Sequence, residues 1–257
     1  MVKHILNLSG KDSTALMLEL IRRKEPLDEV VTFDTGWEFS AMYEHLERCK
    51  KICEQNGIKF VVLHPDVDFN YLAFEHITKS GKVGYSWCGG VCRWGTEYKT
   101  LTLDRYAKEI GDCIVYIGFA FDEMYRLERE NNKQANKKYP LIDWKLTEAD
   151  CLQICYDAGL DFGGMYKYLD RVSCKFCRNK NIKELRNIRK YYPDDWEALK
   201  RFQSRTQEPF DRRSGYSIFD LERRFAFEEE RIAQGLSITN RDFYNELKKR
   251  LKGEKEL

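Results

Sequence analysis

The chain has 257 residues, 42 % of them hydrophobic and 33 % charged, with a formal net charge of +2. That is enough apolar material for one large α/β domain, or one domain with a helical appendage. The longest apolar run, around Cys113–Ile117, is too short to span a bilayer, so no transmembrane segment is expected. Met1-Val2-Lys3 runs directly into a strand-like pattern, so no signal peptide is expected and the cytoplasm is the expected location. Charge is uneven. Residues 1–170 hold 22 Lys+Arg against 27 Asp+Glu, and residues 171–257 hold 22 against 15. The basic second part admits nucleic-acid contact, or is simply a solvated helical surface.

In chain order, short and almost continuously apolar segments at His4–Leu8, Val30–Asp34, Phe60–Leu63 and Cys113–Gly118 predict strands covered on both faces. Helical patterns intervene at about Ser13–Arg23, Ser40–Asn56 and Thr96–Glu109. This alternation predicts a doubly wound α/β fold with a parallel sheet. Ligands in such sheets lie at the carboxyl ends of strands, here the loops after Leu8, Asp34, Leu63 and Gly118. Tyr139–Trp144 is expected to be irregular or extended. Thr147 opens a capped helix running to about Ala158, and the chain from Asn181 onward is expected to be helical, punctuated by Pro193 and Pro209. The expected domains are a nucleotide-binding one at 1–170 and a helical carboxy-terminal region at 171–257.

Nine cysteines, an odd number in a chain expected in the cytoplasm, indicate reduced thiols, metal ligands or catalytic sulfur rather than a disulfide framework. Met42, Leu46, Cys49 and Cys53 share one helix face, as do Cys151, Ile154, Cys155 and Ala158, and Cys113 sits in an apolar strand. These five cysteines are expected to be small core residues. Cys88 and Cys92 bracket Gly89-Gly90-Val91, and Cys174 and Cys177 form Cys-x-x-Cys, with 81 residues between Cys92 and Cys174. The two pairs admit an iron–sulfur cluster, a zinc ion, or unrelated thiols.

Ser9-Gly10-Lys11-Asp12-Ser13-Thr14 joins the first strand to the first helix. Hydroxyls and backbone N–H groups gathered at a helix amino terminus suit pyrophosphate. Lys11 supplies a cation, and Asp12 suits Mg²⁺. Asp34 and Thr35 end the second strand and suit ribose or adenine, with Trp37 or Phe39 against the base. Gly118 allows close backbone approach at the fourth strand's end, and Arg126 suits a phosphate or sulfate.

Taken in order, five features resemble the PAPS (phosphoadenylylsulfate) reductase-like and ATP-pyrophosphatase family, the PP-loop adenine nucleotide alpha hydrolases. They are Ser9–Ser13; Phe33-Asp34-Thr35-Gly36; Cys88 and Cys92 followed by Arg93 and Lys99; Gly118–Arg126; and Tyr139–Trp144 leading to Cys174-Lys175-Phe176-Cys177. The resemblance covers about residues 3–200. Two departures stand out. The family loop is usually Ser-Gly-Gly-x-Asp-Ser, and here one glycine fewer precedes Lys11. Thioredoxin-linked sulfonucleotide reductases usually carry a late Glu-Cys-Gly nucleophile, and here no cysteine follows Cys177.

The resemblance implies an ATP pyrophosphatase that uses ATP with Mg²⁺ to adenylylate a substrate for sulfur transfer. A [4Fe-4S] cluster or zinc would be held by Cys88, Cys92, Cys174 and Cys177. Lys11, Asp12 and Arg126 are the expected catalytic groups; Ser9, Gly10, Ser13, Thr14, Asp34, Thr35 and Gly118 the nucleotide contacts; and Arg93, Lys99 and Arg171 the substrate contacts. One alternative is a phosphoadenylylsulfate or adenylylsulfate reductase. Another is a zinc-stabilised nucleotide- or nucleic-acid-binding module. The expected partners are an adenine nucleotide, an acceptor that is a small molecule or a nucleic acid, and a sulfur donor or reductase. No membrane partner is expected, and a homo-oligomer is admitted.

Overall fold

The computed structural model describes residues 2–87, 92, 97–170, 172 and 174–253. The chain divides into two compact units: Met1–Phe69 with Val91–Cys174, and Asn70–Gly90 with Lys175–Leu257. The second unit therefore begins a few residues past the expected start at residue 171, and it also takes a segment from the first half of the sequence.

In the first unit, β1 (Lys3–Leu8), α1 (Lys11–Arg23), β2 (Glu29–Phe33), α2 (Ser40–Gln55) and β3 (Lys59–Leu63) alternate as the periodicity predicts. Then come α4 (Lys99–Ile110), β4 (Cys113–Tyr116) and β5 (Lys137–Lys138), while the short α3 (Phe69–Phe74) starts on the last residue of this unit's first segment and otherwise belongs to the second unit. All pairings are parallel, in the order β3-β2-β1-β4-β5. This is the expected doubly wound α/β sheet with helices against it. The order reverses between β1 and β4, so the crevice for a ligand lies where those two strands end.

Burial follows from the pairing. Every residue of β2 is buried, whereas β3 at the sheet edge is half-exposed and so departs from the expected two-sided cover. On one face, Ile5, Val31, Cys113 and Val115 form a core closed by Leu103, Tyr106, Ala107 and Ile110 of α4. Elsewhere α1 packs on α6 (Glu148–Asp157), and α2 packs on a 3-10 turn at Phe162–Lys167. Thr147 caps α6 as expected, exchanging hydrogen bonds with Asp150. Tyr139–Trp144 is not extended: Pro140–Asp143 forms a single turn, α5, with Pro140 at the first helical position, where its missing N–H costs nothing.

The cysteine stripes are core, as their spacing predicts. Cys49, Cys53, Cys151 and Cys155 have no solvent exposure, and Cys113 has 5 %. Three apolar positions of the stripes differ: Ile154 is half-buried, Ala158 is exposed, and Leu46 gives way to His45. Leu46 is half-buried, and His45 takes the buried place beside Met42, Cys49 and Cys53.

In the second unit, α7 (Ile182–Tyr191), α8 (Pro193–Gln203), α9 (Ile218–Ala233) and α10 (Arg241–Gly253) follow in sequence. Asn181–Glu184 and Ser217–Asp220 capping boxes open α7 and α9. Phe243, Leu247 and Leu251, four residues apart, bury one face of α10 against Phe227. Residues of Asn70–Gly90 join this unit because Trp87 stacks on Phe202 at 4.2 Å and meets Phe210 edge-on, while Ser86 bonds Thr206 at 2.7 Å. Among the described residues, no helix is long and apolar enough to cross a membrane.

Substituting alanine for Cys49, Cys53, Cys151 or Cys155 should cost about 1 kcal/mol of stability each. None should change the metal content of the purified protein. Denaturant titration and metal analysis check both expectations, and metal loss from any of the four variants would contradict the core assignment.

Candidate nucleotide site

β1 ends at Leu8 and α1 begins at Lys11, leaving Ser9 and Gly10 as the whole turn. The first intrahelical bond runs from Thr14 N–H to the Gly10 carbonyl at 3.0 Å, so the preceding amides have no acceptor within the helix. Side chains take several of them. Ser13 Oγ accepts from Ser9 N at 2.8 Å and Gly10 N at 3.1 Å, and the Tyr166 hydroxyl accepts from Lys11 N at 3.1 Å. The end of β4 closes on this turn. A Cβ on Gly118 would lie 2.7 Å from both Cα and N of Ser13, which backbone cannot accommodate without shifting. Close approach is therefore why residue 118 is glycine.

The charged core of the site is a buried lysine between two carboxylates. Lys11 is 9 % exposed, and its ammonium donates to Asp12 Oδ2 at 3.2 Å and to Glu148. Burial alone would lower the Lys11 pKa. The Glu148 hydrogen bond and the charges of Asp12 and Glu148 outweigh it, and the ammonium is held above the usual lysine range. Asp12 moves the other way from a normal carboxylate. Burial pushes it up to about 6, against the pull of Lys11, and the nearby Glu148 and Glu123 add to the rise. Both shifts are consistent, because one cation is shared by two acids and Asp12 is the more buried acid. Asp12 Oδ1 is buried and accepts no hydrogen bond.

Behind the loop stands His45, 2 % exposed, whose Nε2 meets Thr14 Oγ1 at 3.0 Å and Cys49 Sγ at 3.4 Å. Its ring packs at a 31° tilt on Phe162, centroids 4.1 Å apart, and Phe162 meets Tyr166 edge-on at 4.9 Å. Burial pulls the His45 pKa down to about 4, so the imidazole is neutral at physiological pH. Thr14, expected to touch the nucleotide, instead has a fully buried hydroxyl engaged by His45.

Several other expected contacts are locally committed. Asp34 Oδ1 accepts from Gly36 N at 2.8 Å and Tyr43 OH at 3.0 Å. The Thr35 hydroxyl donates to Glu38 and accepts from Trp37 N. Trp37 and Phe39 are 3 % and 0 % exposed, so they are core residues and not a platform for a base. Arg126 lies in a 3-10 segment, Phe121–Glu128, bonds Glu123 at 2.8 Å and stacks 4.3 Å over Phe119. Burial lowers the Lys99 pKa while Glu38 opposes that shift.

Cys88, Arg93 and Arg171 lie outside the described residues. Cys92 and Cys174 are half-buried and Cys177 is buried. Among the described residues, no group of three or more His, Cys, Asp or Glu is arranged to hold a metal ion. Glu148, Tyr166 and His45 are the residues that sequence reasoning did not select.

The sequence profile of the phosphoadenosine phosphosulfate reductase domain family matches residues 3–153, more than half of the chain. The chain belongs to this family. No curated protein matches it. The family is one of nucleotide-using enzymes, and its matched region contains the Ser9–Ser13 loop, Gly118 and Glu148 but stops short of Tyr166.

Placing a phosphoadenosine phosphosulfate reductase-family loop over buried titratable groups has a measurable consequence. The folded state binds the Asp12 proton up to about pH 6, whereas the unfolded chain releases it near 3.8, so stability falls as pH rises through that window. His45 has the opposite slope, since the unfolded chain protonates near 6.5 and the folded one only near 4. The two largely cancel between pH 4 and 6. Asp12→Asn should therefore match wild type in stability at pH 4 and exceed it by on the order of 2 kcal/mol at pH 7. Chemical denaturation across pH 4–8 measures this. A variant less stable than wild type at pH 7 would contradict the burial penalty.

Proposed function

We propose that the chain is a PP-loop ATP pyrophosphatase that adenylylates a substrate oxygen for sulfur transfer. The observation that carries this reading is Asp12 Oδ1, a buried carboxylate oxygen with no hydrogen-bond partner beside the phosphate loop. An acceptor left unsatisfied in this way is costly unless a ligand completes it, and a hard divalent cation is the ligand an anionic oxygen suits. Asp12 thus fits Mg²⁺, which when bound would offset phosphate charge. A sulfonucleotide needs no such cation to mask a triphosphate.

The remaining steps fall to this chain's own groups. The amino end of α1, with Ser9, Gly10 and Ser13, binds the phosphate chain. Lys11 exchanges Glu148 for a phosphate oxygen and offsets charge as the bond from the α-phosphorus to the bridging oxygen breaks. An acceptor oxygen attacks that phosphorus, pyrophosphate leaves, and AMP becomes the leaving group for a later nucleophile. Arg126, Arg93, Lys99 and Arg171 are assigned to the phosphate or acceptor side. The same reading places the protein in the cytoplasm. It also keeps Cys88, Cys92, Cys174 and Cys177 as ligands of an iron–sulfur cluster or zinc, and metal analysis of anaerobically purified protein tests that assignment.

The family match is equally compatible with a second reading, a sulfonucleotide reductase. Such an enzyme needs an accessible thiolate. Burial pushes the thiols of Cys49, Cys53 and Cys151 up to about 12 and raises Cys155 and Cys113 as well. No cysteine follows Cys177. Among the cysteines of this sequence, Cys88, Cys92, Cys174 and Cys177 are the candidates for a reductase nucleophile.

Asp12→Ala should abolish pyrophosphate release from ATP and weaken Mg²⁺-dependent ATP binding while the fold persists. Pyrophosphate release coupled to an enzyme assay, with circular dichroism as the fold control, gives the answer. Undiminished release from the folded variant would refute the assignment, and sulfite release from a sulfonucleotide with a thiol reductant would establish the second reading instead.

A further inference from the structure

Tyr166 lies beyond the family match and outside every motif of the sequence, yet its hydroxyl stands against the phosphate loop. It accepts from the Lys11 amide at 3.1 Å, and it lies 3.1 Å from where a Cβ on residue 10 would be. Gly10 is thus partly a consequence of this phenol, because any larger residue would crowd it.

The side chain is held in place from several directions. Asp161 accepts from Gly163 N at 3.3 Å, and Phe162, Gly163 and Gly164 follow with φ of 55°, 59° and 73°. The two glycines adopt the left-handed region freely, whereas a buried phenylalanine held there needs surroundings that over-determine it. The His45 ring packs against Phe162 at 4.1 Å, and a Cβ on Gly163 would lie 2.7 Å from Ala41 Cβ. Strain of this kind, maintained next to a binding loop, directs attention to the residue it delivers.

We propose that Tyr166 is a substrate-binding residue whose phenol donates a hydrogen bond to a phosphate oxygen while it accepts the Lys11 amide. The inference rests on the phosphate-loop reading above. A hydroxyl has one proton to donate and lone pairs to accept. Accepting from an amide at a helix amino terminus polarises the O–H toward an anion. Burial pushes the Tyr166 phenol up to about 12, so it remains a donor across the physiological range. The Lys11 ammonium lies over the Tyr166 ring, 5.7 Å from its centroid, so a cation and the phenol stand together at the start of α1. Tyr166 thereby carries the anion-binding surface one group beyond the backbone amides.

The test is Tyr166→Phe, which keeps the ring against Phe162 and removes only the hydroxyl. Calorimetry with inorganic pyrophosphate and with ATP plus Mg²⁺ should show about 10-fold to 100-fold weaker binding of both, the usual range for one hydrogen bond to a charged acceptor. Adenosine affinity should be unchanged, a split that a merely structural role would not produce. Equal or tighter binding of both phosphate ligands by the variant would overturn the role of Tyr166 alone. Failure of the wild type to bind either ligand would overturn the phosphate-loop reading beneath it. Should the variant not fold, 3-fluorotyrosine at position 166 gives a second reading: a ¹⁹F shift on pyrophosphate addition supports the contact, and an unmoved resonance overturns it.

Discussion

A lysine buried in the first turn of a helix is the constraint on which the site depends. Lys11 sits at the positive end of the α1 dipole, where a cation is disfavoured, and it is 9 % exposed. Holding it there takes every polar group the residue has. Its amide donates to Tyr166, its carbonyl accepts from Cys155 Sγ at 3.3 Å, and its ammonium is shared by Asp12 and Glu148. One residue thus ties α1 to α6 and to the turn after it. Removing Glu148, the partner that does most to hold the ammonium charged, would leave a buried cation short of a partner, which is why pairs of this kind are destabilising to break even where they add little to begin with.

The consequence is a site whose geometry is defined from opposite ends of the unit's sequence. β1 and α1 supply the turn, and Gly118 at the end of β4 closes on Ser13. Glu148 and Tyr166 come from 137 and 155 residues away. His45 then connects α2 to both the loop helix, through Thr14, and the Phe162–Gly164 turn, through its ring contact with Phe162. Because interiors are close-packed, a displacement of that turn is transmitted to the Lys11 amide instead of being absorbed.

This explains which parts were legible in sequence. The strands follow from short continuous apolar runs and the helices from a 3.6-residue period, so β1–β4, α1 and α2 are placed to within a few residues. The two-residue β5 carries no period, and the turn at Pro140–Asp143 is too short to show one. The Ser9–Ser13 loop is local and therefore readable. Tyr166, Glu148 and His45 act through contacts with distant segments, and nothing in their neighbours marks them. Glu148 is instructive. With Asp150 it is one of two acids in the first turn of α6, and only the folded chain distinguishes the cap from the partner of Lys11. Trp37 and Phe39 err in the opposite direction, since aromatic residues after a strand suit a base platform or a core equally well. Their burial decides for the core.

The sorting of cysteines by periodicity has a chemical counterpart. The five stripe and strand thiols are buried, and burial raises every one of them away from the reactive thiolate. Helical and strand patterning therefore separates packing sulfur from sulfur available to chemistry before any ligand is considered. Asp12 is the contrasting case. Its ionised form is penalised by burial, and one of its oxygens has no partner, so selection for stability alone would replace it. Its neighbour Lys11 is likewise placed at the wrong end of a helix. Two adjacent residues that each violate a folding rule, at the carboxyl end of the strand where the sheet order reverses, are where local consistency has yielded to function.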